Sequence, residues 1–253
     1  PNPTIKTIIE SQKLVYFANK LHDKNNGKLY ILGGNHDWSQ ANDVAGCHPF
    51  DVLTENTNNI ISCTNEAKVY NIGNYDRTEG KENIEITMIP YKSLNEESYQ
   101  NIYTGSLNEK KKKGFTKSIL VFHGHVDLNE EVVGNQDFEN VFYLPKEVAS
   151  NYDLVISGHV HLRNFISTKS TSILTPGSIM PSERATSKDP KPAVYIYDTN
   201  TGKIEVIELK KSIKIIEINT TNINEVLQTI ADNRFSFNLY SIKYNGKLKD
   251  IDE

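Results

Sequence analysis

The chain has 253 residues and a formal net charge of −4, with apolar runs that stay short. That length suits one large domain, or a large domain with part of a second, and can bury a substantial core. It offers neither the roughly 20-residue apolar stretch of a spanning helix nor a charged-then-apolar leader, so no membrane role is expected. The acidic balance excludes a generally basic nucleic-acid binder, though not an enzyme that holds DNA through local patches and metal ions.

Taken in chain order, Ile5, Ile8, Ile9, Val15, Ala18 and Leu21 recur at near-helical spacing, with Pro3 and Thr4 placed as a helix start and Gly27 as its end. His22 falls in the last turn, where the helix dipole favours it. Lys28 to Leu32 reads as a short strand running into Gly33-Gly34, which leaves Asn35, His36 and Asp37 in the loop at its carboxyl end. Open α/β sheets keep their ligands there. Trp38 follows as a wall aromatic, and His48-Pro49 leads into a small apolar patch of Phe50, Val52 and Leu53.

Strands are expected over Asn59 to Thr64, Ala67 to Ile72 and Ile84 to Ile89, the last closed by Pro90-Tyr91, followed by a polar helix from Leu94 to Lys113. Within it Lys110 to Lys113 is a basic run that ordinarily just solvates a helix end. Ser118 to Phe122 and Asp153 to Ser157 are apolar strands that deliver His123 and Gly158-His159 to their ends, with a short helix near Pro145 to Ala149 between them. Asn164 to Thr168, Ser172 to Thr175, Ala193 to Asp198 and Lys203 to Lys210 alternate as antiparallel strands do, with a turn at Thr199 to Gly202. After Lys210 come a strand (Ile213 to Ile218), a helix (Asn222 to Asn233) and a strand (Asn238 to Tyr244), in keeping with a second, smaller module. The fold class is therefore mixed α/β.

Five of the seven histidines lie in three short segments: Gly33-Gly34-Asn35-His36-Asp37, Phe122-His123-Gly124-His125 and Ser157-Gly158-His159-Val160-His161. Imidazole nitrogens combined with amide or carboxylate oxygens suit borderline divalent metals such as Mn, Fe or Zn. His159 and His161 would face one side of an extended segment, so a turn after the strand can hand one to each of two neighbouring ions. A lone His-x-His arises often by chance, and Asn and Asp are ordinary turn residues. It is the buried strand and glycine before the His159–His161 pair, together with the Asn-His-Asp segment, that give the set its weight.

The order Gly-Asn-His-Asp, a strand-terminal His, Gly-His-x-His and then Pro176-Gly177-Ser178 resembles the calcineurin-like metallophosphoesterases. With Glu183 after it, the spacing is similar to the SbcD-type DNA repair and recombination nucleases, some of them from phage, over about Pro1 to Lys210. The resemblance implies a calcineurin-like phosphoesterase β-sandwich flanked by helices over residues 1–210, followed over 211–253 by the beginning of a small α+β cap on DNA. It also implies two divalent ions of the manganese type, with Asn35, His123 and His159 on one and His161 on the other. His36 would protonate or stabilise the leaving oxygen, Asp37 would orient it, and His125 would stand behind the ligands, while remaining an alternative to His123.

The implied partners are DNA, a coiled-coil ATPase of the SbcC kind and a second copy of the chain, packed through the Phe50, Val52 and Leu53 patch. Cys47 and Cys63 have no disulfide or metal spacing and read as free thiols, so the expected location is the cytoplasm of a bacterial or phage-infected cell. The family's Asp-x-His and Gly-Asp motifs occur nowhere in the sequence, and the first residue is Pro1 rather than Met. The chain is thus expected to be an N-terminally truncated piece with an incomplete dinuclear site. Competing readings are another phosphoesterase, acting on a small nucleotide or phosphoester, and a catalytically incomplete binding scaffold.

Overall fold

A computed structural model describes residues 5–37, 54, 57–73, 83–91, 117–127, 143–179, 191–210, 215–233 and 239–245. Trp38, Cys47, the His48 to Leu53 patch, the 94–113 segment with its lysine run, and Glu183 lie outside the described residues. The chain divides into two compact units, Pro1–His159 with Phe165–Leu174, and Val160–Asn164 with Thr175–Glu253.

In the first unit, α1 (Ile5–Asn25) leads through residues 26–28 into β1 (Leu29–Leu32). The helix ends because Asn26 takes the left-handed conformation (φ +53°), and its N–H donates to the His22 carbonyl at 2.7 Å. Asn tolerates this conformation better than most side chains, so Asn26, one residue before the expected Gly27, terminates the helix. The helix is tied to the loop before β2 through Asn19, whose Oδ1 accepts from Thr57 Oγ1 at 2.7 Å and from Asn59 Nδ2 at 2.9 Å.

β2 (Ile60–Cys63) pairs parallel with β1, Leu32 opposite Cys63. A six-stranded sheet carries the rest, in the order β3 (Lys68–Ile72), β4 (Ile84–Ile89), β5 (Lys117–His123), β8 (Leu154–Gly158), β10 (Ser172–Thr175), β9 (Asn164–Ser167). β3 runs antiparallel to β4, while β4, β5, β8 and β10 are mutually parallel in sequence along the sheet. Strands covered on both faces read as near-continuous apolar runs. Accordingly Leu120, Phe122, Leu154, Val155, Ile173 and Leu174 are all buried.

The core under these strands gathers Ile89, Leu120, Phe122, Val126, Leu144, Ala149, Tyr152, Val155 and Ile173. Two of these residues come from strands the sequence did not announce, β6 (His125–Asp127) and β7 (Tyr143–Pro145), a parallel pair followed by α2 (Lys146–Ala149). Each has three residues and buries one apolar side chain, Val126 or Leu144, which is too little periodicity to read. The expectation that Ser172 to Thr175 is antiparallel is also corrected: β10 lies parallel to β8, Ser172 opposite Leu154. A four-residue pattern carries no information about direction, and three consecutive buried residues mark an interior parallel strand.

In the second unit, β11 (Ala193–Asp198) and β12 (Lys203–Glu208) form an antiparallel hairpin. Its turn lies where the sequence placed it. Asp198 Oδ1 accepts from the Asn200 and Thr201 N–H groups at 2.9 and 3.3 Å. These hydrogen bonds, with those from the Thr201 side chain first, hold the Asp198 carboxyl below its ordinary pKa. β13 (Ile215–Thr220), α3 (Ile223–Asp232) and β14 (Leu239–Tyr244) make a parallel βαβ unit. Asn222 caps α3 by accepting from the Asn224 N–H at 3.0 Å. Among the described residues, no helix is long and apolar enough to cross a membrane.

Candidate metal centre

Parallel pairing brings three loops of the first unit together. In the β5–β8 register His123 stands opposite Gly158, so the last residue of one strand faces the residue before His159 on the other. The Gly33 N–H donates to the Cys63 carbonyl at 2.9 Å, and the Tyr91 N–H donates to the Gly33 carbonyl at 3.0 Å. Those two bonds pin the start of the Asn35 loop between the ends of β2 and β4. Beyond Gly34 the backbone makes a single 3-10 turn, Asn35–Asp37. Asp37 closes it from both sides: its carboxylate accepts from the Gly34 N–H at 2.7 Å, and its own N–H donates to the Gly34 carbonyl at 3.3 Å.

The result is a convergence on one atom. His123 Nε2 lies 2.9 Å from Asn35 Oδ1, 3.2 Å from His159 Nδ1 and 3.3 Å from the Asn35 backbone nitrogen. One imidazole nitrogen either donates or accepts a single bond, so it cannot satisfy a carbonyl oxygen, an N–H and a second imidazole together. The spacing fits a different arrangement. Around an ion with bonds of about 2.1 Å, neighbouring ligand atoms at right angles are roughly 3.0 Å apart. Asn35 Oδ1, His123 Nε2 and His159 Nδ1 therefore have both the chemistry and the mutual spacing of three ligands to one divalent ion.

The ring of His123 is held in place by its surroundings. It packs edge-to-face with Tyr91 and with His159, at centroid distances of 5.8 and 5.1 Å. Two glycines leave the room it needs: a Cβ on Gly34 would come within 2.8 Å of His123 Cε1, and one on Gly158 within 3.2 Å of Nδ1. Gly34, Gly158 and Tyr91 are site residues that sequence reasoning passed over. Their signals were the Gly-Gly pair, the glycine before His159 and the Pro90-Tyr91 closure of β4.

His159 itself has φ +89°, outside the range a side-chain-bearing residue readily adopts. Such strain costs of order 1–3 kcal/mol and collects at functional sites. A His159→Gly variant is therefore expected to be more stable than His159→Ala by about 1 kcal/mol in urea denaturation, since glycine occupies this region without the Cβ penalty. Both should lose the imidazole ligand. The strain also corrects one expectation: β8 ends at Gly158 and the chain bends at His159, so the alternation of an extended strand does not run through to His161.

The other expected residues fall as follows. His36 has its backbone in the 3-10 turn. His125 is half-buried on β6, opposite Tyr143, with the two rings edge-to-face at 5.9 Å. Of the two candidates on this segment, it is His123 that meets Asn35 and His159. His161 belongs to the second unit, where it is exposed and its carbonyl accepts from the Ser178 N–H at 2.8 Å. Among the described residues, no three His, Cys, Asp or Glu side chains cluster as a metal site, so the amide of Asn35 is what completes the set of three. Cys63 plays no part: burial pushes its thiol up to about 12, and its Sγ–H donates to the Glu66 carbonyl.

A model of the calcineurin-like phosphoesterase family matches residues 9–163, more than half of the chain. The chain is a calcineurin-like phosphoesterase. The mixed α/β sheet and its few helices are those of this fold, and the three convergent loops all fall within the matched stretch. Members of the family hydrolyse phosphoesters with the help of divalent metal ions, which is the chemistry that the donor set of Asn35, His123 and His159 fits. No curated protein matches the chain in sequence.

Proposed function

We propose that this phosphoesterase is a DNA exonuclease and endonuclease of the SbcD type, acting in recombination and repair with manganese as its metal. The observation that carries the metal chemistry is the meeting of Asn35 Oδ1, His123 Nε2 and His159 Nδ1 around one point. The nuclease assignment is supported by the motif order, ending in Pro176-Gly177-Ser178, and by the extra module after Lys210, read as the start of a cap on DNA. In this reading Asn35, His123 and His159 hold one ion and His161 holds a second.

Bound ions supply an acidified water and a clamp for the phosphoryl oxygens. The residues of this chain set the terms. Asn35, His123 and His159 would hold the ion as neutral ligands and so add no negative charge of their own beside an anionic diester. His36 gives a proton to the leaving oxygen, and Asp37, by closing the Gly34 turn, keeps the Asn35–His36 backbone in place. The partners proposed are DNA, an SbcC-type coiled-coil ATPase and a second copy of the chain, in the cytoplasm.

The full-length protein should degrade linear duplex DNA with manganese, and His159→Ala should slow it by at least about 100-fold. Hydrolysis of a small chromogenic diester with no action on DNA would leave the family assignment standing and remove the nuclease. A second reading has its own observation. Without an Asp-x-His or Gly-Asp motif, the 253-residue chain has no counterpart of the carboxylate that bridges the two ions. Purified by itself, the 253-residue chain is expected to show little or no turnover. Manganese-dependent nuclease activity that His159→Ala abolishes would refute that.

A further inference from the structure

His161 is exposed and lies on a half-buried stretch without regular structure, so something other than its own strand or helix must fix it. Within the second unit three ties do so. The Ser178 N–H donates to the His161 carbonyl at 2.8 Å. Two residues on, Arg163 Nη2 reaches Glu208 Oε1 at 2.7 Å. Tyr195 donates its hydroxyl to the Pro176 carbonyl at 3.3 Å, holding the strap that carries Ser178.

Tyr195 and Glu208 sit on opposite strands of the β11–β12 hairpin, two positions apart in register. They occupy its open end, which the Leu209 N–H closes onto the Pro192 carbonyl at 2.8 Å. Gly177 makes the close packing possible. At φ +74° it presses on the 160–164 segment so tightly that a Cβ would lie 2.7 Å from Arg163 N and 2.8 Å from His161 O.

We propose that the open end of this hairpin is a buttress for His161, with Arg163, Gly177, Tyr195 and Glu208 as its positioning residues. Exposed ion pairs add little stability, and Glu208 is about half exposed, so what the Arg163 pair provides is direction. The planar guanidinium fork, held on one carboxylate, aligns the backbone that presents His161. The proposal rests on the reading of His161 as a ligand of the second ion, and the test separates the two ideas.

The whole chain is prepared as wild type and as Glu208→Gln/Tyr195→Phe, with histidine rings labelled for NMR and the His161 signal assigned through His161→Gln. The expected result is amide exchange at least about tenfold faster over 160–164 and 177–178 in the variant, with its melting temperature within a few degrees of wild type. The manganese concentration that broadens the His161 signal should rise about fivefold. Unchanged exchange over 160–164 overturns the buttress whatever manganese does, as does an unchanged manganese titration in which His161 is broadened equally in both proteins. Faster exchange with no manganese effect on His161 in either protein supports the buttress as a device of the backbone and removes His161 as a ligand.

Discussion

Replacing His123 with alanine is expected to weaken manganese binding to this chain by at least about 100-fold in calorimetry, with the fold intact by circular dichroism. The basis is that His123 Nε2 is the hub of the donor set, 2.9 Å from Asn35 Oδ1 and 3.2 Å from His159 Nδ1. Loss of a residue behind a metal ligand typically costs 10- to 100-fold in affinity, so loss of the central ligand should cost at least the upper end of that range. His125→Ala is the internal control. It lies two residues away on the same segment with its ring against Tyr143, and as a residue behind the ligands it should cost less affinity than His123, about tenfold. Equal effects of the two substitutions, or a larger one from His125, would mean that the donor set has been assigned to the wrong histidine.

Gly34→Ala should do comparable damage without touching any ligand. The new methyl group would meet His123 Cε1 at 2.8 Å and Nδ1 at 3.0 Å, closer than such atoms approach. Neither side can yield easily. The ring is backed by Gly158 and flanked by Tyr91, and the Gly34 backbone is anchored through its N–H to Asp37 and through Gly33 to Cys63. Overpacking of this kind costs about 1–3 kcal/mol, and the ring displacement that relieves it should lower metal affinity about 10- to 100-fold.

The double variant Gly34→Ala/His123→Ala isolates the cause. Removing the ring opens the space that the methyl needs, so the stability cost of Gly34→Ala should largely disappear in the His123→Ala background. A cost that persists there would place the strain in the loop backbone instead. Gly33→Ala offers a contrast, since its Cβ would press on Thr64 Cα at 3.2 Å and not on the histidine. It should reduce stability with much less effect on metal binding.

How far the sequence carried this reading depended on what each segment needed. Strand positions were legible from short apolar runs, and Ile84–Ile89, Ser172–Thr175 and Ala193–Asp198 fall on the expected residues, though the parallel direction of Ser172–Thr175 was not. The metal-type residues were legible because each follows such a strand at its carboxyl end. The strands β6 and β7 were not, since a pattern needs more than three residues to declare its period. Nor was the end of α1, where the left-handed tolerance of Asn26 acts before Gly27 is reached.

By itself, then, the sequence determined which residues have the chemistry for a metal, and that they stand where buried strands give way to loops. Both facts are local, set by side-chain type and by a few neighbours. Only the tertiary structure decided that Asn35, His123 and His159 share one point while His125 turns to Tyr143. That choice depends on the β5–β8 register, which puts His123 beside Gly158, and on two glycines whose missing side chains make room for a ring. Register and clearance are relations between segments far apart in the chain, and no single segment encodes them.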